Sequence, residues 1–184
     1  MLHTEARRAA RRDALGEFVP LAEQDISRWD GVLIAEAETL LRRAGAMHGI
    51  GRYQLEAAVQ SAHAVRRLTG RADWPVILEL YDALWRLTAS PVVAINRAVA
   101  LAEVAGAAKG LAALDAHAGD ARLAQYQPWW AARAELLARA GRAAEAALAY
   151  TQAIGLENRP HGPAASCRPG RRRSRRRTWT ITRH

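Results

Sequence analysis

The residues that could do chemistry in this sequence stand at spacings that do not assemble a reaction centre. Six histidines are present: His3, His48, His63, His117, His161 and His184. None has another histidine three or four residues away, the spacing that sets two ligands on one helix face, so no helical metal site is seeded. Glu36 and Glu38 are two residues apart and would point in different directions from a helix, which removes them as a paired acid and base. The lone cysteine, Cys167, excludes an internal disulfide and a cysteine-based zinc site. A Gly-rich phosphate loop, H-E-x-x-H and G-x-S-x-G are all missing. No catalytic residue, metal ligand or cofactor is therefore assigned, and the chain is not expected to be an enzyme. His63, set among Ala62, Ala64 and Val65, reads as a packing histidine.

The informative polar residues are of another kind. Trp29 lies between Arg28 and Asp30, Tyr53 between Arg52 and Gln54, Trp74 follows Asp73, and Tyr81 precedes Asp82. Asn96 and Arg97 interrupt the apolar run "VVAINRAVALA". One reading is helix capping and hydrogen bonding between packed helices. The other is a polar groove for a partner protein, built from Arg28, Trp29, Tyr53, Gln54, Tyr81, Asn96 and Arg97, since helical arrays grip partners on their concave face.

The elements that must carry these residues are helices throughout. Alanine is abundant, glycines fall at regular breaks, and runs of alternating β-branched residues are missing. "SRWDGVLIAEAETLLRRAGAMHG" predicts a long helix capped by Ser27 or Asp30, with Val32, Leu33, Ala37, Leu40, Leu41 and Ala44 as its apolar stripe. "GRYQLEAAVQSAHAVRRLTG" predicts a second, with Leu55, Ala58, Val59, Ala62 and Val65 on one face and Gly70 past its end. Asp73 with Pro75, and Ser90 with Pro91, mark the starts of the third and fourth. "AAKGLAALDAHAG", "QPWWAARAELLARAG" and "RAAEAALAYTQAIGL" follow, for about seven helices in all. The expected domains are a helix end and connector over 1–26, a helical domain over 27–158, and a disordered basic tail over 159–184.

The formal charge of +9 comes from that tail alone. Nine of the 27 basic residues are arginines from Arg159 onward, where no acid is found, leaving 18 bases against 18 acids in residues 1–158. The body thus lacks the basic bias of a nucleic-acid binder, and phosphate contact would rest on Arg171, Arg172, Arg173, Arg175, Arg176 and Arg177. No apolar stretch is long enough for a membrane span, and "MLHTEARRAARRD" lacks the apolar core of a secretory signal, so a cytoplasmic chain is expected.

Gly106 and Gly141 stand 35 residues apart, which sets Leu101 on Leu136, Ala105 on Ala140 and Leu114 on Ala149. "AARAELLARAGRAAEAALAYTQAIGL" fits the tetratricopeptide pattern through Ala134, Leu137, Gly141, Glu145, Ala146, Tyr150, Ala153 and Ile154. Small residues at these places let paired helices approach, with Tyr150 expected to fill the gap to a following pair. The fold class is all-α: an antiparallel helix-hairpin array forming a tetratricopeptide-like right-handed superhelix.

"EARRAARRDALGEFVPLAEQDISRWD", "GRYQLEAAVQSAHA", "DWPVILELYDALWRLTASPVVAINRAVALAEV" and the repeat above occur in one order. Together they resemble the C-terminal, tetratricopeptide-like extension of a family of extracytoplasmic-function RNA polymerase sigma factors. The resemblance runs from about Thr4 to Asn158. It implies a protein-contact module that tunes transcription initiation, with RNA polymerase or a regulatory protein as partner. The promoter-binding sigma domains of that family have no counterpart in these residues, which points to a truncated relative. After Asn158 the pattern gives way to "RPHGPAASCRPGRRRSRRRTWTITRH", a composition expected of a GC-rich gene read in a shifted frame.

The function expected is therefore a non-catalytic interaction module. The alternatives are nucleic-acid binding through the tail, or small-molecule sensing in an inter-helix pocket near Tyr53, Tyr81 and Asn96. If the frame shift replaced a final helix, the last pair has lost its cover, because terminal repeats need a polar cap. Amide hydrogen exchange should then be faster over Ala144–Ile154 than over Val92–Leu101. Equal protection in a monomeric sample would contradict this.

Overall fold

The computed structural model describes residues 1–47 and 49–157. Within them the chain is an all-α array of helix hairpins. The helices are α1 (Leu2–Ala6), α2 (Gly31–Gly45), α3 (Arg52–Ala64), α4 (Arg66–Thr69), α5 (Trp74–Thr88), α6 (Pro91–Ala105), α7 (Ala107–Asp115), α8 (Gln127–Arg139) and α9 (Ala143–Glu157). Two short helices exceed the seven expected. α1 lies where a helix end was expected ahead of the connector, outside the seven counted, and α4 is the last turn of the expected second helix, separated at Val65. The only β pairing among the described residues is an isolated bridge between Arg12 and Phe18.

The helix starts follow from capping chemistry. Asp30 accepts hydrogen bonds from the backbone N–H groups of Val32 and Leu33, and Asp73 accepts one from Val76. Each satisfies donors that the first helical turn leaves without intrahelical partners. Pro75 and Pro91 sit in the first turns of α5 and α6, where a missing N–H costs nothing. Gly106 closes α6 and opens α7 at φ +93°, and Gly141 separates α8 from α9 at φ +77°. That left-handed region disfavours residues with a Cβ, so these two glycines fix both hairpins.

Two cores result. One gathers Ile95, Ala98, Ala102, Leu111, Leu114, Trp129, Leu136, Leu137, Ala146 and Ala149 from α6 to α9. The other gathers Leu55, Val59, Ile77, Tyr81, Leu84, Val93 and Ala100 from α3, α5 and α6. The 35-residue relation holds at Leu114 and Ala149, which are both buried in the first core. Tyr150 packs against the first core and its hydroxyl donates to Glu135 Oε2 at 3.1 Å, bracing α9 against α8; the following pair it was expected to meet falls outside the described residues.

The N-terminal residues do more than end a helix and lead into α2. Ala6, Ala10, Leu21, Gln24 and Trp29 are buried, the Asp30 N–H donates to the Ala6 carbonyl at 2.8 Å, and Arg7 Nη2 donates to Gln60 Oε1 on α3 at 2.5 Å. Residues 1–30 thus close the open end of the array. The expected stripe of α2 is corrected in the same way. Ala37 alone on that helix is buried, while Val32 and Leu40 face outward, because α2 is an edge helix packed only on α1 and α3.

Helices α6 and α7 approach closely at Gly110. A Cβ built on Gly110 would lie 2.5 Å from Ala102 Cβ and 2.7 Å from the Ala98 carbonyl oxygen. Backbone on the far side leaves no flexible neighbour to give way. Gly110→Ala is expected to destabilise the chain by about 1–3 kcal/mol, as overpacking does. Urea denaturation measures it; a variant as stable as the parent would mean that the helices part freely.

Candidate functional site

A cavity of about 530 Å³ opens between the 3-10 turn at Leu21 and helices α3, α4, α5, α6 and α8. Its wall holds His63, Trp74, Tyr81 and Asn96, and four charged residues: Arg66, Glu103, Glu135 and Arg139. Of the seven residues expected in one groove, the structure brings together two, Tyr81 and Asn96.

The other five are placed elsewhere for physical reasons. Trp29 is only 3% exposed and packs in the small N-terminal core under the Arg7 guanidinium, 5.7 Å from the ring centroid. Arg28 is exposed on the preceding 3-10 turn. Tyr53 projects outward at the start of α3, with the Arg52 guanidinium 5.9 Å from its ring centroid. Gln54 is a cap: its Oε1 accepts from the Gly51 N–H at 2.5 Å, and its Nε2 donates to the Ala44 carbonyl at 2.6 Å. Arg97 follows Asn96 by one residue, a turn of about 100° on a helix, and pairs with Asp82 on α5 instead of facing the cavity. Arg171, Arg172, Arg173, Arg175, Arg176 and Arg177 lie outside the described residues.

The cavity residues that sequence reading passed over are His63, Arg66, Glu103, Glu135 and Arg139. His63 packs as expected, edge-on to Trp74 at 5.7 Å between centroids, but it also forms part of the wall. The signal was weak because a histidine among alanines has the same spacing whether it packs or binds.

The electrostatics of the wall are uneven. Arg139 and Glu103 form an ion pair that ties α8 to α6. Arg66 Nη1 donates to the Leu21 carbonyl at 2.7 Å, and no carboxylate among the described residues pairs with it. Glu135 accepts from Tyr150 and has no cationic partner among the described residues. His63, Tyr81 and Asn96 make no side-chain hydrogen bond within the described residues, although His63 and Tyr81 are 9% and 8% exposed. Burial, assisted by the positive charge of Arg7, pushes the His63 imidazole down to about 4. Burial pushes the Tyr81 phenol up to about 12. Near neutral pH both present uncharged hydrogen-bonding groups.

Among the described residues no group of three His, Cys, Asp or Glu side chains is placed to hold a metal ion. No helix among them is long and apolar enough to cross a membrane.

A family of unknown function (DUF6596) matches residues 1–45, the segment that ends with α2 and contributes Leu21 and Ala22 to the cavity wall. An uncharacterized protein of Rhizobium meliloti (strain 1021) is 40% identical over 154 residues, covering 84% of this chain and 36% of that protein. The chain thus spans about a third of the length of this relative. No solved structure matches.

The His63 environment has a measurable consequence. The unfolded imidazole takes a proton below its ordinary 6.5, the folded one only below about 4. Between those values the unfolded state holds more protons, so stability is full above the window and falls as pH drops through it. At about 1.4 kcal/mol per pH unit the loss has a ceiling of about 3 kcal/mol. Urea denaturation at both ends of the window should show this loss in the parent and a smaller one in His63→Gln. An identical loss in both would place the acid sensitivity elsewhere.

Proposed function

We propose that this chain is a non-catalytic protein-interaction module of the kind appended to extracytoplasmic-function sigma factors, acting in the cytosol in the regulation of transcription initiation. One observation carries the reading. Between residues 32 and 53, five large apolar or aromatic side chains are exposed: Val32, Leu40, Met47, Ile50 and Tyr53. They stand on α2 and at the entry to α3. The cores have no need of them there, and large apolar side chains left in water along one stretch of chain favour contact with another protein. Tyr53 beside Arg52 adds the residue pairing over-represented among binding hot spots. The charge balance of residues 1–158 supports a protein partner over nucleic acid for the body.

The test uses the chain without residues 159–184 as bait in cytosolic extract, read for RNA polymerase subunits and regulatory proteins. Retention is expected. The double variant Ile50→Ser, Tyr53→Ala should weaken it by roughly tenfold or more, as hot-spot truncation does, with an unchanged melting temperature because both side chains are exposed. Loss of all retention in the parent, or retention indifferent to the double variant, would refute this surface.

A further inference from the structure

The cavity between α3, α5, α6 and α8 is separate from that exposed surface, and its chemistry calls for an occupant of its own. Three neutral polar groups line it without partners among the described residues: the His63 imidazole, the Tyr81 hydroxyl and the Asn96 amide. His63 and Tyr81 are buried and Asn96 is half-buried, yet none of their polar atoms is sealed from the cavity, so the wall offers them to a ligand or to water. The space, about 530 Å³, falls within the roughly 300–1,000 Å³ of small-ligand sites.

The charges narrow the ligand. Arg139 and Glu103 neutralise each other. That leaves one cation, Arg66 on α4, and one anion, Glu135 on α8, each with no opposite charge paired to it among the described residues. Arg66 keeps Nε and Nη2 after bonding the Leu21 carbonyl, and Glu135 keeps Oε1 after accepting from Tyr150. They stand on different helices of the same wall, α4 and α8. On α6, Asn96 presents one carbonyl and one amino group to the same cavity, the complement of the N–H and C=O of a peptide unit. Trp74 supplies an apolar face beside His63.

We infer that this cavity is a binding site for a short peptide with free termini, its carboxylate held by Arg66, its ammonium by Glu135 and a backbone amide by Asn96. An internal segment of a folded protein carries neither terminal charge and does not satisfy both residues. A single amino acid has no peptide unit to offer Asn96. The site goes beyond the protein-contact reading and does not depend on it.

The experiment follows the Trp74 indole and Asn96 side-chain amide signals of the full chain by NMR during titration. The probe is a random-sequence tripeptide mixture with free termini. Parallel arms use the same mixture N-acetylated, the same mixture C-amidated, and a mixture of free amino acids. Both signals should move with the free tripeptides, and either cap should weaken binding roughly tenfold, the scale of one charge-assisted contact. Glu135→Gln should bind the free and acetylated mixtures equally, and Arg66→Gln the free and amidated ones equally. Signals that stay fixed up to the solubility of the tripeptides would overturn the site. Equal binding of capped and uncapped probes would overturn the charge assignment, and equal binding of amino acids would overturn the peptide assignment. The capping arms need only the native chain, so they decide the matter even if one variant fails to fold.

Discussion

Both large cores of this molecule lean on α6. Val93, Ala94, Ile95, Ala98, Ala100 and Ala102 are all buried, so the helix meets neighbours on several sides at once. Ile95, Ala98 and Ala102 belong to the core shared with α7, α8 and α9, while Val93 and Ala100 belong to the one shared with α3 and α5. Alanine makes this feasible, because a small side chain lets a second backbone come close without leaving a void. Gly110 carries the same logic to its limit, bringing α7 against Ala98 and Ala102 with no Cβ at all. A helix packed in this way has little room for polar side chains, so the two consecutive ones it carries are informative. Arg97 is matched by Asp82, and Asn96 is left facing the cavity.

Around that helix, ties between neighbours are mostly single and specific. Arg133 Nε donates to Asp115 at 2.9 Å between α8 and the end of α7, Arg139 meets Glu103 between α8 and α6, and Arg7 reaches Gln60 between α1 and α3. Such part-exposed pairs contribute little to stability individually. Their value lies in register: each fixes which turn of one helix faces which turn of the next. The cavity wall draws on five helices and needs that register to be held.

The helices were legible in the sequence because their ends are written in local chemistry. Asp30, Asp73, Pro75, Pro91, Gly106 and Gly141 all do what their types and positions imply. Faces were less legible. Val32 and Leu40 fit an apolar stripe by spacing, yet periodicity cannot say that a helix lies at the edge of an array and has neighbours on one side only. The site was legible in part. Tyr81 and Asn96 stood out as polar interruptions of apolar runs, and they do share a wall. Glu135, Arg139 and Arg66 did not stand out, because a charged residue on a helix looks the same in sequence whether it points into solvent or into a cavity. Gln54 and Arg97 were drawn into the expected groove by their neighbours, and local or adjacent partners claim them instead.

The placement of α6 in both cores bears on how the molecule comes apart. In a regular solenoid each repeat touches only the next, so an end unit can melt while the middle persists. Here the helix that seals α3 and α5 is the same helix that seals α7 and α8. Losing either flank strips α6 of cover along a run of alanines too small to hold the other flank alone. The segment from α3 to α8 is thus built to melt as one unit, and whatever binds its cavity tightens both sides of α6 together.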